Sequence, residues 1–228
     1  MTSRYPPVGV KVFGPLACFS RPELKVERMT YDVMTPSAAV GVLEAIFWRP
    51  EMRWRVEEIW VMKPIHHTSI VRNECRALPN TSRVMKTWTE TNGAYNVEDS
   101  NHRDPRHMRM LKDVSYVIWA QVDVQPDVDA DPAKFREQFM RRVQRGNCFH
   151  RPYLGLREFA AFFEPHTRGE QPIDYSADLG WMLHSMAWTG PNQGVPRFFP
   201  AKLTRGVLHV PSAATITQGG NHATPAAG

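Results

Sequence analysis

A chain of 228 residues is long enough to bury a core of its own, and 42% hydrophobic with 22% charged residues excludes a fibrous or wholly disordered protein. It holds no run of eighteen apolar residues, and Arg4, Pro6, Pro7, Lys11 and Arg21 interrupt any leader-peptide apolar core, so a cytoplasmic protein without membrane contact is expected. The net charge of +5 suits a polyanionic partner, while Cys18, Cys75 and Cys148, odd in number and far apart, encode neither a disulfide framework nor a zinc site.

Val8 to Phe13 reads as a first strand, followed by a loop carrying Arg21, Lys25 and Arg28. A helix starts where Thr35 can cap the free N–H groups and Pro36 is preset for the first turn, and Pro50 forbids its continuation. Ala39, Leu43, Ile46 and Phe47 form one apolar stripe on it, which needs a sheet to cover it. Trp54 to Met62, with Val56, Ile59 and Val61, reads as a second strand. Residues 65–110 lack sustained periodicity and are rich in Asn, Thr, Ser, Arg and His, so they read as a long basic arm without regular structure. Val114 to Val124 alternates cleanly and gives a third strand.

Asp131-Pro132 starts a second helix by the same logic as the first. Phe135, Phe139 and Val143 are its apolar stripe and Gly146 its end. Glu158 to Glu164 reads as a fourth strand. Strand, helix, strand, strand, helix, strand predicts an α+β fold, a ferredoxin-like or RRM-like βαββαβ sandwich over residues 1–164. Leu179 to Trp188 and Phe198 to Val210, the latter broken by a turn at Thr204-Arg205-Gly206, predict a small C-terminal antiparallel β appendage over 165–211. Residues 212–228 hold no large apolar side chain beyond Ile216 and read as a disordered tail.

The charge is clustered. Arg103, Arg106, Arg109 and Lys112 precede the third strand, and Arg136, Arg141, Arg142, Arg145, Arg151 and Arg157 run through the second helix and the turn after it. Such clusters suit phosphate contacts, and equally a solvated helix face. RRM-like sheets read RNA on exposed aromatics, but the glycine and aromatic run of that mode is absent here. Trp119 and Tyr116 point to opposite faces of one strand, so at least one belongs to the core. In Leu154-Gly155 with Arg157-Glu158, the glycine permits close backbone approach, and the arginine either meets a phosphate or pairs with Glu158. His66 and His67 are adjacent, without the spacing that places two imidazoles on one helix face, so no metal is expected and no cofactor motif appears.

One set of residues points further. It comprises Gly14, Cys18, Phe19, Arg21-Pro22-Glu23, Lys25-Val26-Glu27-Arg28, Tyr31-Asp32-Val33, Pro36-Ser37-Ala38-Ala39 and Leu43-Glu44-Ala45-Ile46 with Trp48 and Pro50. It continues at Lys63-Pro64-Ile65, Arg72-Asn73-Glu74, Leu111-Lys112-Asp113-Val114 with Tyr116, Leu154-Gly155, Arg157-Glu158-Phe159 and Asp178-Leu179-Gly180. In these residues the chain resembles the CRISPR-associated Cas-five family, in its subtype I-C (Dvulg) branch, from residue 8 to about 210.

The resemblance implies an RNA-binding subunit of the Cascade complex that holds the 5′ handle of CRISPR RNA. Its partners would be the backbone and large subunits, with target DNA met only through the complex. It also implies metal-free cutting of the precursor at the repeat hairpin, in which the ribose 2′-OH attacks the neighbouring phosphate and leaves a 2′,3′-cyclic phosphate and a 5′-OH. That reaction needs a proton acceptor, a proton donor and positive charge. The family's proton carrier near the end of the first helix falls on Phe47, and its basic group before the third strand falls on Lys112-Asp113. Phenylalanine carries no exchangeable proton. His102 and His107 are therefore the expected partners of Lys112, with His66, His67 and His150 as further imidazoles. Arg21, Lys25, Arg28, Arg72, Arg103, Arg106, Arg109, Arg145, Arg151 and Arg157 are the expected RNA contacts. The alternative is a subunit that binds the handle and assembles without cutting.

Overall fold

The computed structural model describes residues 5–24, 26–75, 103–190, 193–212 and 217–218. Among the described residues, ten strands form one sheet beside two helices. In chain order these are β1 (Val8–Ala17), β2 (Arg28–Met29), α1 (Pro36–Ile46), β3 (Met52–Val61), β4 (His66–Cys75) and β5 (Arg103–Val124). Then come α2 (Pro132–Arg145), β6 (Phe162–Pro165), β7 (Ala177–Gly190), β8 (Gln193–Thr204), β9 (Val207–His209) and β10 (Thr217–Gln218). All pairings are antiparallel except that of β2 with β5. The expected α+β architecture, a largely antiparallel sheet with two helices, is what the chain adopts.

Both helices begin as their sequences require. The Thr35 side chain accepts from the Ala38 N–H ahead of Pro36, and the Asp131 side chain accepts from the Ala133 N–H ahead of Pro132. Gly146 closes α2 in the left-handed conformation, where its N–H reaches the carbonyls of Arg142 and Val143. The central strands run β6-β1-β5-β3, with β9, β8 and β10 beyond β3. Val10, Val12, Ile59 and Ile118 are fully buried together with Leu43, Ile46 and Phe139 of the helices, and Trp54 meets Phe139 at 4.7 Å between ring centroids. Each such side chain is worth about 1.5–3 kcal/mol of burial.

The other face of the sheet is covered as well. Trp60 and Trp119 lie 5.2 Å apart, and the His166 ring sits edge-on to both. Lys11 binds Glu164 at 3.1 Å and also Glu170, while the Ile173 N–H donates to the Val61 carbonyl at 2.9 Å. Tyr116 is in the core edge-on to Phe19, so neither aromatic of β5 is offered to a base as in an RRM sheet.

Three elements differ from expectation. Residues 66–75 and 103–110, expected to lack regular structure, are a paired ribbon, because β4 aligns with the first half of β5 from His66 opposite Lys112 to Cys75 opposite Arg103. The fourth strand is shorter than expected, since 154–159 closes a turn through the Leu154 N–H to Phe159 carbonyl bond of 2.7 Å. In the tail, Thr217 and Gln218 pair with Phe198 and Arg197, and most of the remainder lies outside the described residues. No helix among the described residues is long and apolar enough to cross a membrane.

Candidate nucleic-acid interface

The ribbon gathers the first basic cluster. β2 runs along one edge of β5 at Met108–Arg109 and β4 along the other, which brings Arg21, Arg28, Arg72, Arg103, Arg106, Arg109 and Lys112 to one end of the sheet. Several are already engaged. Arg21 lies over the Tyr31 ring at 4.4 Å, Arg28 reaches Glu74 at 3.8 Å, Arg106 holds Asp104 at 3.0 Å, and Arg72 bridges Glu74, at 2.6 Å, and Glu158. Arg103, Arg109 and Lys112 are exposed and make no ion pair among the described residues. Lys25 and His102 lie outside the described residues.

Arg157 joins this cluster through its turn. The Cys18 N–H donates to the Leu154 carbonyl at 3.1 Å, and a Cβ on Gly155 would stand 2.0 Å from the Cys18 oxygen, so only glycine fits there at φ +84. Of the two fates open to Arg157, pairing with Glu158 is not the one adopted: Glu158 is held by Arg72, and Arg157 is exposed.

The histidines divide by position. His66 stands directly opposite Lys112, a relation that separates Cβ atoms by about 5 Å. His107 is opposite Val71, five residues and about 17 Å further along β5, so it does not share one phosphate with Lys112. His67 takes Asp32 at 3.0 Å. Being adjacent to His66 on a strand, it faces the opposite side. Beside Lys112, Asp113 takes a left-handed φ of 51 and binds Lys63 at 2.7 Å, while the register with β1 runs on unchanged from Val114 to Lys112. Burial pushes the Tyr31 phenol up to about 12 and raises that of Tyr116 still further, so neither is a ready proton carrier.

The second cluster forms around the C-terminal end of α1. The last carbonyls of that helix are taken up by groups from afar: the Arg142 guanidinium donates to Ile46 at 2.9 Å, the Trp54 indole donates to Phe47 at 2.9 Å, and the Phe149 and His150 N–H groups both donate to Ala45 at 2.9 and 3.2 Å. Phe47 is 1% exposed, with the guanidinium groups of Arg142 and Arg49 at 5.2 and 5.7 Å from its ring. Around it His150, Arg49, Arg145 and Arg151 face solvent, and Phe149 is 76% exposed.

The two clusters are separate. Trp54, bonded to Phe47, pairs with Val122, ten residues along β5 from Lys112 and so about 33 Å away. Phe47 and Lys112 therefore cannot face the same phosphate. The sequence pointed to His150 as an imidazole but carried no signal that placed it at α1, because the link is a pair of backbone bonds across more than a hundred residues. Arg49 and Phe149 were missed altogether, for single residues after a helix carry no pattern. Among the described residues no three His, Cys, Asp or Glu side chains converge as metal ligands.

Comparison with known proteins bears on these surfaces. The profile of the Cas5d family, described as CRISPR-associated protein (Cas_Cas5), matches residues 8–211. A protein of Mannheimia succiniciproducens named CRISPR pre-crRNA endoribonuclease Cas5d is 40% identical over 215 residues, which is 90% of this chain and 94% of that one. One of Thermus thermophilus with the same name is 40% identical over 221 residues, 89% of this chain and 90% of the relative. A crystal structure described as a CRISPR-associated protein superposes with a TM-score of 0.66 at 20% identity, covering 94% of this chain and 96% of the other, which establishes a shared fold.

Proposed function

This chain belongs to the Cas5d branch of the CRISPR-associated Cas5 family, that of subtype I-C, and on that premise we propose that it binds CRISPR RNA as a Cascade subunit and cuts the precursor at the repeat hairpin. We assign the βαββαβ core, in its order β6-β1-β5-β3, to the ferredoxin-like class. The backbone and large subunits are its protein partners, target DNA is met through the complex, and the cytoplasm is where it works.

The observation that carries the cleavage reading is the exposed imidazole of His150, tied to the end of α1 beside Arg49, Arg142 and Arg145. The resemblance puts a proton carrier at this end of α1, and the residue in sequence there, Phe47, has no proton to give. In the reaction a base takes the proton of the 2′-OH, the oxygen bonds to phosphorus as the P–O5′ bond breaks, and an acid returns a proton to the 5′ oxygen. His150 serves in one of these two transfers, and the guanidinium groups stabilise the charge that gathers on the phosphorane. The ribbon and the segments beside it, with Arg21, Arg28, Arg72, Arg103, Arg106, Arg109 and Arg157, grip the RNA backbone, Arg145 and Arg151 grip it beside α1, and Lys25 is a further RNA contact.

A second reading puts the cut at the ribbon, with Lys112 supplying charge and His66 rather than the more distant His107 moving the proton; His102 remains a candidate there. It is favoured by the direct opposition of His66 and Lys112. Single-turnover cleavage of a labelled repeat hairpin in EDTA decides between them. His150→Ala slows the cut by about a hundredfold or more with binding retained under the first reading, and His66→Ala or Lys112→Ala does so under the second. Binding without any cut by the unmodified chain would leave the assembly role alone.

A further inference from the structure

A groove of about 800 Å³ runs between α1, the first residues of β3 and the β7–β8 hairpin, and at its Trp48–Pro50 end it borders Arg49 of the basic cluster at α1. Its helical wall is Ser37, Val40 and Glu44, spaced three and four residues apart and so on one face of α1. Its rims are two tryptophans, Trp48 just past the helix and Trp188 near the hairpin tip, 50% and 69% exposed. Trp188 is held in place: it lies over Gly194, where a Cβ would stand 3.1 Å from the ring. An exposed indole on a fixed backbone contributes contact area at little further entropic cost.

Glu44 is the anomaly in this wall. It is half-buried and has no ion-pair partner among the described residues, and burial alone raises its carboxyl above the usual range. Arg53, also in the groove, makes no ion pair with it, and Arg55 is committed to Asp123 at 2.9 Å and Glu57 at 2.7 Å. A half-buried carboxylate without a counter-charge is costly until a cation arrives.

We infer that this groove is the docking site for a peptide segment of a neighbouring protein subunit, apolar except for one lysine or arginine whose cation meets Glu44 between the Trp48 and Trp188 rings. The inference rests on reading the chain as a subunit of a larger complex. Charge selects the occupant: Asp123 is already held by Arg55, so Glu44 is the groove's carboxylate without a cation, and the chain's own residues 213–228 contain no lysine or arginine to offer. The exposed indoles of Trp48 and Trp188 offer faces for cation–π attraction to such a side chain.

The test assembles the full chain with the other protein subunits of its complex and measures the affinity of assembly, with thermal unfolding and repeat-RNA binding by the isolated chain as controls. Glu44→Lys and Trp188→Ala each weaken assembly at least about tenfold while unfolding temperature and RNA affinity stay unchanged, and Glu44→Gln weakens it less. Assembly of Glu44→Lys with unmodified affinity would overturn the inference and leave the RNA-binding role standing. A concentration-dependent dimer of the isolated chain, abolished by Trp188→Ala, would overturn it in favour of a second copy in the groove. If the unmodified chain fails to bind repeat RNA, the functional reading fails instead, and the assembly measurement still judges the groove.

Discussion

Phe47 shows how one side chain separates two roles that share an address. Its backbone ends α1, its carbonyl accepts from the Trp54 indole, and its buried ring lies against Arg49 and Arg142. A proton carrier grafted there would point into the core rather than toward a phosphate. Phe47→His is therefore expected to lower the melting temperature without raising the cleavage rate, because a buried polar ring without a partner costs about 1–3 kcal/mol and the missing aromatic packing adds to it. Thermal unfolding and single-turnover kinetics on that variant check both halves, and a faster cut at unchanged stability would return Phe47 to the reaction. At this scale the sequence was informative about residue type and silent about direction. It said that phenylalanine cannot move a proton, but not that His150 arrives at the same helix end from the other side of α2.

At the scale of elements, the ribbon of β4 and β5 is fastened by charge as much as by its ladder. Arg72 joins Glu74 of its own strand to Glu158 of the 154–159 turn, and Arg28 of β2 closes on Glu74 from the other side. The hydrogen bond from Arg72 holds the Glu74 carboxyl below the usual carboxylate range. A group depressed in this way contributes its stability fully above its unfolded value, and that stability is lost as the pH falls through the folded one. The ribbon is therefore expected to loosen below about pH 4.5 ahead of the core. Hydrogen exchange of the β4 amides, compared between neutral and acid solution, reads this directly. Glu74→Gln should remove most of the difference.

The elements were also unequally legible. Cap and proline pairs wrote both helix starts, and the apolar alternation of Val114 to Val124 wrote the central strand. The ribbon was hidden because its apolar members, Met108 and Met110, alternate with Arg109 and His107 over too short a stretch, with Pro105 ahead of them. Its structure comes from pairing with a distant partner rather than from local preference.

The two cationic surfaces lie about 33 Å apart along the direction of β5. If one RNA spans both, each surface contributes its own release of counterions. Neutralising Arg109 and Lys112 at the ribbon, or Arg145 and Arg151 beside α1, should each reduce the log–log salt slope of repeat-RNA binding by about 1.4, at about 0.7 for every single-strand phosphate that the protein no longer neutralises. The two effects should add, since the surfaces are too far apart to share a partner. Binding titrations over a range of salt concentrations check this, and a slope changed by only one of the pairs would confine the RNA to that surface.

The long β5 also limits how such a chain can diverge. From Val114 to Ala120 it is laddered to β1 on one side and, over most of that length, to β3 on the other. Insertion or deletion of one residue there would send buried valine, tyrosine and isoleucine side chains to the wrong face on both ladders at once. Changes in length among descendants must therefore collect at the two ends of the strand, before Arg103 and after Val124. The ends of the strand are thus free to vary while the scaffold between them keeps its count.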